Sequence, residues 1–125
     1  MASPLQAAAA TALALPFSFF ENLQTTYQAK RDRMVRMLED IDFKVFKPSG
    51  SYFVMTDWRG VAPEKVQDNL QFARWLIADI GLACIPASPF YQEADKHLGK
   101  HFARFAVCKK DATLAAAGER LARLP

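Results

Sequence analysis

An arginine sits inside an apolar alternation, Phe102-Ala103-Arg104-Phe105-Ala106-Val107. Burying a guanidinium without a partner is costly. The residues alone leave two readings open. The side chain snorkels to the sheet edge or pairs with an acidic neighbour. Or it waits for an external anion, because a guanidinium is a planar fork that grips a carboxylate through two parallel hydrogen bonds. An amino acid held in that way has a fixed orientation.

No other constellation carries comparable chemistry. His97 and His101 stand four apart, a helical spacing for two metal ligands. Gly99 lies between them, no glutamate follows His97, and His101 opens a strand-like run, so they read as loop or surface histidines. Serine, histidine and aspartate are present without a nucleophile elbow. There is no phosphate-cradling glycine loop and no dinucleotide fingerprint. The net charge is +3, from 16 basic and 13 acidic residues. These are interspersed without a basic stripe, which argues against a nucleic-acid partner.

The 125 residues are 51% hydrophobic and include ten phenylalanines, enough for one domain with a buried core. Cys84 and Cys108 are far apart in apolar, strand-like surroundings and read as reduced buried thiols of a cytoplasmic protein. Met1 to Leu15 is alanine-rich but lacks a basic n-region, and Pro4 and Gln6 interrupt it, so a signal peptide is not expected. No apolar run reaches the ~18–20 residues that span a bilayer.

The elements that must carry Arg104 follow from periodicity. Ser3-Pro4 reads as a helix start with a capping hydroxyl, and Pro16 ends or kinks that helix. Phe20, Leu23, Tyr27, Met34, Leu38 and Ile41 form one face of a second helix. Phe43 to Lys47 and Ser51 to Asp57 predict a hairpin about Pro48-Ser49-Gly50, its second strand central. Val66, Leu70, Ala73, Ile77 and Ile80 predict a helix stopped by Gly81. A short strand is expected at Leu82 to Ile85, then mostly loop from Pro86 to Lys100, with a helical turn near Ala94 to Leu98. In the following strand Phe102, Arg104 and Ala106 face one way, and Ala103, Phe105 and Val107 the other. Asp111 is expected to cap a last helix bearing Leu114, Gly118, Leu121 and Leu124. The fold class is α+β: two layers, a small, mostly antiparallel sheet with helices on one face.

Three segments together carry a resemblance. They are Gly50-Ser51-Tyr52-Phe53-Val54-Met55-Thr56-Asp57, Ile85-Pro86-Ala87-Ser88-Pro89-Phe90-Tyr91 and Phe102-Ala103-Arg104-Phe105-Ala106-Val107-Cys108-Lys109. In order and spacing they resemble the C-terminal part of the fold-type-I, pyridoxal-phosphate-dependent class I/II aminotransferases. The likeness is greatest to the branch of kynurenine aminotransferases, glutamine transaminase K and cysteine-conjugate β-lyases. It runs over nearly the whole chain, from Ser3-Pro4-Leu5-Gln6 to the final helix. It implies that Arg104 binds the substrate α-carboxylate. Phe53 is implied as a pocket-lining aromatic, with core packing its plain alternative. Ser88 and Phe90 approach the site or belong to core or loop structure, the latter reading being preferred.

The resemblance also implies a division: residues 1–16 are a helix leading from a missing large domain, and 17–125 are the aminotransferase small domain. The Schiff-base lysine and the other cofactor-binding groups of the family lie in that large domain. Lys30, Lys47 and Lys109 match none of those roles. Pyridoxal phosphate is therefore expected in the complete enzyme and not on this chain alone, which is expected to be inactive by itself. The implied substrates are an amino acid and a 2-oxo acid. The implied partner is a second copy or a large-domain polypeptide, with no nucleic acid and no membrane. The alternative is a stand-alone, non-catalytic carboxylate-binding or protein-interaction domain.

Overall fold

Pro16 divides the N-terminal helical sequence in two. In the computed structural model, which describes residues 2–124, α1 (Ser3–Leu13) ends just before it, and α2 (Phe17–Glu39) sets off at 90°. The N-cap of α1 is Ala2 rather than Ser3. Ser3 and Pro4 occupy its first turn, and no side chain caps it. α1 contains no charged residue and buries none of its side chains. Along α2 the apolar face is covered only in its second half. Met34, Val35 and Leu38 are buried, whereas Phe17, Phe19 and Leu23 are exposed. No single helix among the described residues is long and apolar enough to cross a membrane.

The expected hairpin is present as β1 (Lys44–Phe46) and β2 (Phe53–Asp57). β3 (Ile85–Pro86) is shorter and later than the Leu82 to Ile85 expected, and β4 (Phe102–Ala106) carries Arg104. The sheet order is β1-β2-β4-β3, antiparallel throughout, so β2 is interior, as its apolar run on both faces implies. The register pairs Val54 with Phe105 and Thr56 with Ala103. All four are buried beneath the helices. Alternation sends Phe53, Met55, Phe102 and Arg104 to the opposite, helix-free face.

α3 (Asn69–Trp75) begins after Val66, because Asp68 caps it by accepting from the Gln71 N–H at 2.8 Å. It runs into one π-helical turn, Leu76–Ile80. Gly81 then closes it at φ 73°, a left-handed conformation that costs glycine little. α4 (Asp111–Leu121) has Lys110 at its N-cap, so Asp111 is not the cap. It lies in the first turn, where its charge suits the helix N-terminus, 3.7 Å from Lys30 Nζ. Leu114, Ala117 and Leu121 of α4 meet Met34, Val35 and Leu38 of α2 over the sheet.

The other core group is aromatic. Phe72 of α3 stacks on Trp58 at 5.2 Å and 9°, and meets Phe43 and Trp75 at 6.1 and 5.8 Å. Both cysteines are free, but only Cys84 is partly buried, and burial pushes its thiol up to about 12. Cys108 is exposed, contrary to its apolar surroundings in sequence, because it lies two residues beyond the end of β4.

At the end of β2, the Asp57 carboxylate takes Arg59 Nε at 3.0 Å and also its Nη2. Those bonds hold the Asp57 pKa below its ordinary 3.8, against the opposing effect of burial. A depressed carboxylate contributes stability that is whole above its unfolded pKa and is lost as pH falls through the folded one. Urea titrations stepped through acid should therefore show stability falling below pH 3.8. Asp57→Asn should flatten that part of the curve.

Candidate carboxylate site

β4 delivers Arg104 to the open face of the sheet between two apolar cross-strand neighbours, Met55 and Ile85. Neither can pair with a cation. Asp57 lies on the same face by alternation, two residues along β2 from Met55, and its carboxylate is already committed to Arg59. Among the described residues Arg104 makes no ion pair and no side-chain hydrogen bond.

Two rings hold the guanidinium instead. Its Cζ lies 4.1 Å from the Phe53 ring centroid and 4.0 Å from that of Phe90. Each contact is a cation–π interaction of roughly 0.5–1 kcal/mol at an exposed site. Nε is buried without a hydrogen-bond partner. The Nη edge makes no hydrogen bond among the described residues, a geometry that could accept a carboxylate. Such a clamp restrains the fork before a ligand arrives, which lowers the ordering cost of binding.

Phe53 comes from β2, beside the hairpin turn. Phe90 comes from the 3-10 turn Ser88–Phe90, which the sequence favours as plain loop. Phe90 is 62% exposed and yet touches Arg104, so exposure alone hides its contact. The signal in the sequence was Pro89-Phe90 after a buried strand: a large aromatic in a turn needs a surface to lie on. Ser88 is not at the anion edge; its hydroxyl donates to Asn69 Oδ1 at 2.8 Å. His97 and His101 do not meet. His97 Nδ1 lies 3.0 Å from the Ala94 carbonyl, and His101 leans on Trp58 at 5.9 Å. No group of three potential metal ligands occurs among the described residues.

Gly99 packs the loop under Phe90. A Cβ there would meet the Ser88 Cα and N at 2.9 Å each. Backbone cannot step aside as a side-chain tip can, so the Phe90 turn itself would shift. Gly99→Ala is expected to destabilise the protein by about 1–3 kcal/mol in urea unfolding. Gly118→Ala, which would meet only the flexible Met37 thioether, should cost less.

The class I and II aminotransferase family matches residues 1–121. The chain belongs to this family. Among curated relatives, this aminotransferase chain is 35% identical to kynurenine--oxoglutarate transaminase 3 of Homo sapiens, over 94% of the chain and 29% of that protein. It is 32% identical to the probable kynurenine--oxoglutarate transaminase BNA3 of Saccharomyces cerevisiae, over 95% of the chain and 30% of that protein. In three dimensions it is similar to N-succinyldiaminopimelate aminotransferase from Mycobacterium tuberculosis. The TM-score is 0.85 at 35% identity, covering 98% of this chain and 31% of that one. The aminotransferase chain thus spans about 30% of the length of the relatives it matches. Its α+β architecture is that of its aminotransferase neighbours.

Proposed function

We propose that this chain is the small-domain lobe of a pyridoxal-phosphate-dependent aminotransferase, and that it supplies the group that holds the substrate carboxylate. The reaction of the whole enzyme is transfer of an amino group between an amino acid and a 2-oxo acid. One observation carries this reading: Arg104 is clamped by Phe53 and Phe90 on the open face of the sheet, with no acid among the described residues to neutralise it. A stand-alone binding domain would use the same anchor, but family membership favours the transaminase lobe.

The family implies pyridoxal phosphate, whose chemistry is to stabilise carbanionic charge at the amino-acid α-carbon. The residues present do not fit that group. A Schiff-base lysine must stand beside the anchored substrate. Lys30, Lys47 and Lys96 are tied to Asp111, Asp32 and Glu93, and Lys44 lies over the Phe46 ring. Neither these nor Lys65, Lys100, Lys109 and Lys110 make a hydrogen bond, ion pair or ring contact with Arg104, Phe53 or Phe90. Within this lobe Arg104 binds and orients, Phe53 and Phe90 shield one side of the substrate from water, and proton transfer belongs elsewhere. Residues 1–16, which include α1, then lead from a large domain, and 17–125 form the small domain. The exposed Leu5, Leu13, Phe17, Phe19 and Leu23 give a large-domain partner or a second copy an apolar surface. Free Cys84 and Cys108 suit a cytoplasmic setting.

Two measurements test the reading. Titration of the purified chain with phenylpyruvate, a 2-oxo acid, should give saturable shifts of the Arg104 side-chain resonances; no saturation would refute the anchor. Incubation with pyridoxal phosphate followed by borohydride reduction should leave no single lysine stoichiometrically modified. A stoichiometric adduct with turnover would show that the lobe is catalytic alone.

A further inference from the structure

We propose that Asn69 is the positioning residue of the Arg104 clamp, acting through Ser88 to hold Phe90 on the guanidinium; this rests on reading Arg104 as the carboxylate anchor. Asn69 opens α3 and is 1% exposed, an unusual place for an amide. Its Nδ2 donates to the Gly99 carbonyl at 2.8 Å and to the Phe102 carbonyl at 3.2 Å. Its Oδ1 accepts from the Ser88 hydroxyl at 2.8 Å. Partners of opposite type on its two ends fix the orientation of the amide.

Those three bonds join the pieces that carry the clamp. Ser88 lies two residues before Phe90, on the same short turn. Phe102 lies two residues before Arg104, on β4. The Phe102 carbonyl also accepts from the Ala87 N–H at 3.0 Å, so turn and strand are tied at a second point beside Asn69. Gly99 packs against the Ser88 backbone from the other side. β3–β4 pairing and the Ala87 bond bring the chain before the turn to β4, and the buried Asn69 side chain adds the links that reach into the turn itself, at Ser88. Phe53 lies outside this network, on β2. The two walls of the clamp are held independently, and only the Phe90 wall depends on Asn69.

An aspartate at this position could still accept from Ser88 but could not donate to two carbonyls. Ser88→Ala removes a single link and leaves the core intact. Ser88→Thr keeps the hydroxyl. The test compares these two variants and Asn69→Asp with the wild-type chain. It reads the nuclear Overhauser contacts of the Arg104 Hε proton with the Phe90 and Phe53 rings, together with phenylpyruvate affinity and thermal stability.

In Ser88→Ala the Phe90 contacts should vanish while those to Phe53 persist. Affinity should fall roughly two- to fivefold, and Ser88→Thr should restore both. Asn69→Asp should behave like Ser88→Ala; if it does not fold, Ser88→Ala decides alone. Retained Phe90 contacts in folded Ser88→Ala would overturn the proposal, whatever the affinity. So would lowered stability with contacts and affinity unchanged, the mark of a merely structural role. If the variants lose the Phe90 contacts but phenylpyruvate does not bind even the wild type, positioning by Asn69 stands and the anchor reading falls.

Discussion

Arg104→Ala should abolish saturable 2-oxo acid binding while leaving the protein folded. The side chain lies on the helix-free face and forms no ion pair among the described residues, so its removal orphans no acid. It also removes a buried, unpartnered Nε–H, which is itself unfavourable. A carboxylate on the Nη edge would make two charge-assisted hydrogen bonds, each worth about 1.5–3 kcal/mol. Their loss lowers affinity by roughly a hundredfold or more. Arg104→Lys should lose nearly as much. An ammonium keeps the charge but not the planar fork or its stacking between two rings. Full binding by the lysine variant would reduce the site to a point charge. Full binding by the alanine variant would remove Arg104 from the site altogether.

The placement of Arg104 could be read in the sequence because strand alternation is a strong local signal. With Ala103 and Phe105 inward, Arg104 had to face outward, and it does. The β1-β2 hairpin and the Gly81 stop were legible for similar reasons, a turn-forming triplet and a residue at ease with positive φ. The helix starts were less so. Ser3 and Asp111 suited an N-terminus by type and Val66 only began an apolar stripe, but the true caps fell at Ala2, Lys110 and Asp68. Capping chemistry is shared by neighbouring residues, and tertiary packing selects among them.

The parts of the site that the sequence ranked second, as with Phe90, or passed over, as with Asn69, are those built from long-range contacts. Phe90 and Asn69 lie 14 and 35 positions from Arg104 in numbering, and neither follows a periodic pattern that points to it. Asn69 looked like any polar residue near a helix start. Only its burial, with all three bonds directed at loop and strand groups, sets it apart. That Arg104 lacks an acidic partner was equally hidden, since which acids other cations take, as Arg59 takes Asp57, is decided only in the fold. The sequence offered 13 acidic residues as candidates.

Phe72→Ala should be the most destabilising single substitution outside the site, costing about 3–5 kcal/mol in urea unfolding. Phe72 is fully buried and touches three other aromatic rings, those of Trp58, Phe43 and Trp75. Little around it can collapse into the space it leaves, because rings are rigid and Trp58 and Phe43 are held by the chain next to β2 and β1. Against a typical total of about 5–15 kcal/mol, that loss is a large fraction of stability. Phe72 also stands three residues after Asn69, on the same buried face of α3. The aromatic cluster therefore fixes the helix that fixes the amide that holds Phe90 over Arg104. Phe72→Leu, which keeps most of the volume, should lose only about 1.5 kcal/mol or less and retain the Phe90 contacts. In Phe72→Ala those contacts should weaken even under conditions where the chain is still folded. A folded Phe72→Ala with the clamp undisturbed would mean that β4 and the Ser88 turn hold each other without help from α3.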